Sequence, residues 1–195
     1  MGSSYYDIDD ILAEDEAINC TFLTDAVDCG YLDPSCPNTD LAQGAEVDLP
    51  IWLAKPLTQR GDVRVHVPKY LGEKHRKHIR ASPAAVNLRE KSLYFYKIGT
   101  AIAQLVNRNE AREVEDVLRV AFGGERYRQI LDESMNSRDE DTTEFTRKLT
   151  HLEKELFEKG LLGASDFYSW KNRSAGLLRC ASLLDVSRKR RRFMK

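Results

Sequence analysis

Leu93-Tyr-Phe-Tyr-Lys-Ile-Gly-Thr-Ala-Ile-Ala-Gln-Leu-Val106 is the stretch on which the fold turns. It is apolar on most sides, broken only by Lys97, Thr100 and Gln104, and gathers Tyr94, Phe95 and Tyr96 in one place. An amphipathic surface helix carries one apolar stripe; this pattern predicts a helix buried by more than its own domain. It falls short of the roughly 20 apolar residues a membrane helix needs, so a transmembrane reading is excluded.

Outward from this segment, everything after Pro83 follows the 3.6-residue period and reads as four long helices. The first is Leu93–Val106. The second runs from about Glu110 to Asn136, with Val114, Val117, Leu118 and Ala121 on one stripe, a bend at Gly123-Gly124, and Ile130 and Leu131 beyond it. The third spans about Thr142 to Lys159, where Phe145, Leu149, Leu152 and Leu156 form a heptad-like seam and Gly160 supplies the stop. The fourth starts near Ser165 and aligns Phe167, Trp170, Ser174, Leu177, Leu178, Ala181 and Leu184. Short connections predict antiparallel neighbours.

Before residue 84 the elements are short. Asp7 can cap a brief helix through Leu12, and Ile18–Leu23 and Val63–Val67 read as strands. In the second strand Val63, Val65 and Val67 share a face, and Pro68 ends it. Gly30 to Gly44 has loop composition. Glu46–Pro50 leads into a helix at Ile51–Ala54, with Pro50 at the first helical position and Pro56 forcing a stop or kink. The fold class expected is α+β, mainly α. A small β-rich domain (1–84) precedes an all-α bundle domain (85–187) and a basic tail (188–195).

The 195 residues carry 30 Lys+Arg against 31 Asp+Glu, a formal charge of −1 that conceals a partition. Residues 1–50 hold twelve acids and no Lys or Arg, leaving 30 basic and 19 acidic residues in the rest, hence −12 and +11. Two regions of opposite field imply two kinds of electrostatic partner. Met1–Ser4 leads directly into acids with no apolar leader, so an intracellular protein is expected, and Cys20, Cys29, Cys36 and Cys180 are expected as reduced thiols.

Catalytic constellations are missing. Gly123-Gly-Glu-Arg and Gly160-Leu-Leu-Gly163 lack the spacing and the Lys-Ser/Thr of a phosphate-binding loop, and neither a Gly-x-Ser-x-Gly elbow nor a His-Glu-x-x-His helix occurs. Acid pairs such as Asp9-Asp10 or Glu113/Asp116 are ordinary in so charged a chain. Cys20, Cys29 and Cys36 with His66 could approach a zinc ion, but their spacings of nine and seven are unlike compact structural sites, and small buried thiols are the simpler reading. His75 and His78 share a helix face with Lys74, Arg76, Lys77 and Arg80, company that disfavours a divalent cation. No enzyme activity, cofactor or metal is expected.

Two basic features stand out. Lys69–Arg80, followed by Arg89 and Lys91, could meet phosphate or an acidic protein surface, or be a solvated helix face; without the aromatic interleaving that stacks bases it signals charge contact and not sequence readout. Arg188, Lys189, Arg190, Arg191 and Arg192 read as a nuclear localisation signal or a nonspecific phosphate-binding tail. A subunit that works by binding fits these features, with a direct, sequence-independent nucleic-acid-binding nuclear protein as the alternative.

The order of motifs carries a resemblance. Tyr5-Tyr-Asp-Ile-Asp-Asp-Ile-Leu-Ala-Glu14, Gly44-Ala-Glu-Val-Asp-Leu-Pro-Ile-Trp-Leu-Ala54, Val86-Asn-Leu88 before Tyr94-Phe-Tyr96, and Asp166-Phe-Tyr-Ser-Trp170 before a basic tail resemble the Psf-three family of eukaryotic GINS complex subunits. The resemblance implies a non-catalytic scaffold in a heterotetramer, an obligate hetero-oligomer with three other GINS subunits. It also implies that the assembly joins the MCM ring and the Cdc-forty-five protein as the replicative DNA helicase in the nucleus. ATP hydrolysis would belong to the MCM ring, and DNA contact would be indirect or weak. By position, Asp9, Asp10, Ile11 and Leu12 would open the small domain, and Leu49, Pro50, Trp52 and Leu53 would join Ile11 and Leu12 in its core. Tyr94, Phe95 and Tyr96 would form the subunit interface.

Overall fold

The computed structural model describes residues 6–33, 38–137 and 140–173. Helix α1 (Ile8–Glu14) starts where its N-cap Asp7 accepts the Asp9 N–H. It leads into β1 (Ala17–Phe22), the centre of an antiparallel three-stranded sheet ordered β2-β1-β3, with β2 at Glu46–Pro50 and β3 at Val63–Val65. Register follows side-chain alternation: Ile18 lies opposite Leu49, Cys20 opposite Val47 and Val65, and Phe22 opposite Val63, all buried on one face. Glu46–Pro50, read from sequence as a lead-in, is therefore a strand. Its two buried positions, Val47 and Leu49, are too few to display a period.

Helix α2 (Ile51–Arg60) has Pro50 as its N-cap and continues through Pro56, against the expected stop. Pro56 and Trp52, one turn apart, both lie on the exposed side, where water can take the carbonyl that Pro56 leaves free. Ile51 and Ala54 anchor the other side against the sheet and α4. Gly61, at φ +81°, ends the helix in the left-handed region and returns its N–H to the Leu57 and Thr58 carbonyls.

The remaining helices are α3 (Glu73–Ala81), α4 (Phe95–Leu105), α5 (Arg108–Phe122), α6 (Glu125–Asn136), the single turn α7 (Thr143–Thr146) and α8 (His151–Lys171). The segment 110–136 is thus two helices, separated at Gly123-Gly124, rather than one that bends. The expected third helix is the single turn α7 followed by the start of α8, which passes Gly160 without stopping and takes in the start of the expected fourth; the later positions of that fourth helix, 174–184, lie outside the described residues. Gly160 is there for closeness: a Cβ on it would lie 2.8 Å from Ser134 Cβ on α6. A small residue at a helix crossing admits a neighbour, and one side against a helix stabilises it beyond what Gly costs, about 1 kcal/mol.

The short connection between α4 and α5 produces the antiparallel pair expected, with Tyr96 against Phe122. Helices α6 and α8 instead run parallel: Arg126 meets Glu153, and eight residues on Ser134 meets Gly160. The intervening chain, including α7, returns to the start of α6 first. One continuous apolar interior joins the sheet and α2 to α3, α4 and α5 through Leu49, Ile51, Leu71, Ile79, Phe95, Ile98 and Val117. A smaller cluster, Ile130, Leu149 and Phe157 with Phe145 and Leu156 at its edge, lies between α6 and α8.

Candidate subunit interface

The aromatic trio opens α4. Phe95 is fully buried in the chain's own interior, beside Tyr70 at 6.1 Å and edge-on to Tyr96 at 5.4 Å. Tyr96 is buried too, edge-on to Phe122 at 5.4 Å. The placement of Phe95 and Tyr96 at a subunit interface is corrected accordingly: both lie inside the chain, where α4 packs against α1, α2 and α5 and Tyr96 bonds Glu153 at the start of α8. Tyr94 is half-buried, with its ring 5.4 Å from that of His151 and its hydroxyl donating to Asp9 at 2.9 Å.

Of the residues assigned to a small-domain core, Leu49 is buried and Pro50 and Leu53 are half-buried. Ile11, Leu12 and Trp52 are exposed, which corrects their assignment. Helical rotation of 100° per residue explains it: α1 turns Asp9, Asp10, Ala13 and Glu14 toward the body, and α2 turns Ile51 and Ala54 inward. Arg188–Arg192 lie outside the described residues, as do Cys36 and Cys180.

Sequence reading missed the polar centre that locks this arrangement. Glu153, in the first turn of α8, accepts four hydrogen bonds: from Tyr96 Oη at 2.7 Å, Arg126 Nε at 2.5 Å, Arg126 Nη2 at 2.9 Å and the Thr150 N–H at 2.9 Å. Arg126 Nη1 also donates to the carbonyls of Pro83 at 3.1 Å and Val86 at 2.8 Å. Burial alone would raise the Glu153 carboxyl, but the Arg126 hydrogen bonds and charge, with the Thr150 and Tyr96 donors, hold it below the usual carboxylate range. Burial and then the Glu153 charge push the Tyr96 hydroxyl up. The sequence signal for this centre was Thr150-x-x-Glu153 ahead of an apolar run, which marks a helix start and a side chain reaching back to it.

The basic stretch Lys69–Arg80 spans a 3-10 turn and α3. Lys74, Lys77, His78 and Arg80 are exposed, but carboxylates interrupt the face: Glu73 pairs with Lys77 at 2.8 Å, and Glu113 on α5 pairs with Arg76. Cys20 and Cys29 are free thiols, and burial, with the Asp48 charge behind it, pushes Cys20 up to about 12. His66 Nε2 lies 2.6 Å from Thr21 Oγ1. Among the described residues no three His, Cys, Asp or Glu side chains gather as metal ligands, and no helix is long and apolar enough to cross a membrane.

Contact surface concentrates at the far end of α8. Because α6 and α8 are parallel and α6 ends at Asn136, opposite about Leu162, the last nine residues of α8 project about 13 Å past it. That overhang carries an aromatic cluster. Phe167 packs at 6.0 Å from Tyr168 and 5.9 Å from Trp170, and Phe167 and Trp170 are 55% and 70% exposed, with Leu162 also outward. So much aromatic area on one helix end is the kind of surface that assembly covers.

A small sheet sharing its interior with a helical bundle, and a terminal helix whose aromatic face looks outward, define a helical-bundle protein built for association. Residues 6–59 match the PSF3 N-terminal domain model and residues 70–171 match the GINS complex protein helical bundle domain model. The chain belongs to the GINS complex protein family, on the PSF3 branch. It is 30% identical over 195 residues to the human DNA replication complex GINS protein PSF3, a match covering 96% of this chain and 89% of that one. The Xenopus laevis protein of the same description is 27% identical over 190 residues, covering 96% and 90%. A probable PSF3 of Dictyostelium discoideum is 31% identical over 170 residues; the match covers 87% of this chain and 62% of that relative's length.

Proposed function

We propose that this chain is a non-catalytic scaffold subunit of a heterotetrameric GINS complex, with the three other GINS subunits as its permanent partners. Family membership supports the assignment, and the observation that carries it is the far end of α8, with Leu162 at the base of the overhang and Phe167 and Trp170 on it facing out. Permanent complexes commonly bury ~2,000 Å² or more, and exposed aromatics are their usual anchors. Tyr94, half-buried at the head of α4, is the member of the aromatic trio with area left to offer a neighbour. The assembled complex joins the MCM ring and the Cdc-forty-five protein in the replicative helicase, ATP hydrolysis stays with the MCM ring, and DNA contact by this chain is indirect or weak. Arg188–Arg192 direct the chain to the nucleus. The chain divides into a small domain (1–84), a helical domain (85–187) and the basic tail (188–195).

Co-expression with the other three subunits tests the reading. The four chains should co-purify in equal amounts and survive 0.5 M salt, and Phe167→Asp with Trp170→Asp should release this chain. Elution of the wild-type chain alone would overturn it.

A further inference from the structure

Helix α1 is amphipathic in the inverse sense. Its body-facing side is polar: Asp9 accepts from Tyr94 Oη at 2.9 Å and lies 3.3 Å from His151 Nε2, Asp10 pairs with Lys97 at 2.6 Å, and Glu14 pairs with Lys55 at 3.2 Å. Ala13 is the only buried residue of the helix. Its outer side is apolar: Ile8, Ile11 and Leu12 are 70%, 54% and 51% exposed and, three and four residues apart, form one stripe. Asp7 and Asp15 close the two ends of that stripe. Neither forms an ion pair with the described residues, and the nearby cations Lys55 and Lys97 are already paired inward. Trp52, 53% exposed, stands beside the stripe with its indole N–H 3.4 Å from Asp15. Along the other flank, a cleft of about 550 Å³ opens between α1, α2 and α4, with Ile11 at its edge and Ile51, Ile98 and Ala101 on its walls.

An isolated helix on a protein surface gains by turning its apolar side inward. Here four polar contacts hold it the other way, so the arrangement becomes favourable when something covers the stripe. The charge around the stripe specifies what. With a carboxylate at each end and no Lys or Arg anywhere in residues 1–50, a covering surface must be apolar at its centre and positive at its margins. We infer that the outer face of α1, with Trp52 and the adjoining cleft, docks a basic amphipathic helix of a partner protein, with Lys or Arg one turn beyond its apolar residues at each end. This surface lies at the start of α8, about 24–29 Å along that helix from Phe167 and Trp170, so it is separate from the contact proposed for the overhang.

The chain has two tryptophans, so Trp170→Phe leaves Trp52 as the sole reporter. The probe is a synthetic helical peptide with Leu at i, i+3, i+4 and i+7 and two Lys at each end, titrated into the full chain. Trp52 emission should shift to the blue and saturate, and affinity should weaken severalfold between about 50 and 300 mM salt. A peptide with Glu for Lys, and one with Ser for Leu, should each bind at least about tenfold more weakly. Ile11→Ser with Leu12→Ser should lose the same factor while the far-ultraviolet spectrum and melting temperature stay those of the parent. Equal binding of the Lys and Glu peptides, undiminished binding by the double variant, or a Trp52 shift driven by chain concentration without peptide, meaning a second copy covers the stripe, would overturn the inference.

Discussion

Arg126 on α6 and Glu153 on α8 form a two-pronged ion pair, 2.5 Å through Nε and 2.9 Å through Nη2, with both side chains almost completely out of water. This pair sets the start of α6 beside the start of α8, and Tyr96 ties it to α4. Removing one partner leaves the other charged and buried, a change that costs about 3–5 kcal/mol. Glu153→Gln should lower unfolding stability by that amount in urea titrations followed by circular dichroism. The paired replacement Arg126→Met with Glu153→Leu should recover more than half of it.

Acid should act through the same residue. The folded-state Glu153 carboxyl is held below its ordinary value of 4.5, so the unfolded chain takes up the proton first as pH falls. The stability it contributes is complete above the ordinary value and is lost as pH falls through the lower, folded one. Between pH 7 and acid, the wild-type chain should therefore lose more stability than Glu153→Gln, and thermal melts across that range measure the difference.

Two glycines of one helix should respond oppositely to alanine. At Gly160 the new methyl meets Ser134, and overpacking should cost about 1–3 kcal/mol. Gly163 is exposed and has nothing within 4 Å, so Gly163→Ala should stabilise by about 0.5–1 kcal/mol. Paired denaturation curves separate the two.

Thiol labelling should distinguish the cysteines. Cys20 is wholly buried and its thiol is raised to about 12, so at pH 8 it should stay unlabelled by a disulfide reagent until the chain unfolds. Cys20→Ser should leave the number of rapidly labelled thiols unchanged.

On the α8 overhang, Trp170→Ser should alter the stability of the isolated chain by no more than about 0.5 kcal/mol, because the side chain is mostly solvated. Its effect should appear only in the recovery of assembled complex.

Local pattern carried much of this structure. The Asp7 cap, the valine alternation in β3, the apolar length of α4 and the stripe Val114, Val117, Leu118 and Ala121 of α5 all matched elements of the expected kind. Where reading failed, the governing contact lay far away in sequence. Gly160 looked like a stop because its neighbour Ser134 belongs to another helix, and Pro56 looked like a break because the packing of Ile51 and Ala54 was not visible. The α8 overhang was hidden by the same false stop.

By itself, the sequence determined most of the helical segments and the strands β1 and β3, because the 3.6 and 2 periods are properties of neighbouring residues, and it determined the partition of charge between residues 1–50 and the remainder. The tertiary structure alone decided that α6 and α8 run parallel, that Arg126 meets Glu153, that Phe95 and Tyr96 are covered within the chain, and that α1 turns Ile8, Ile11 and Leu12 outward. Periodicity states that a helix has an apolar face; which surface that face meets depends on contacts between residues distant along the chain, and those are set only when the whole interior packs together.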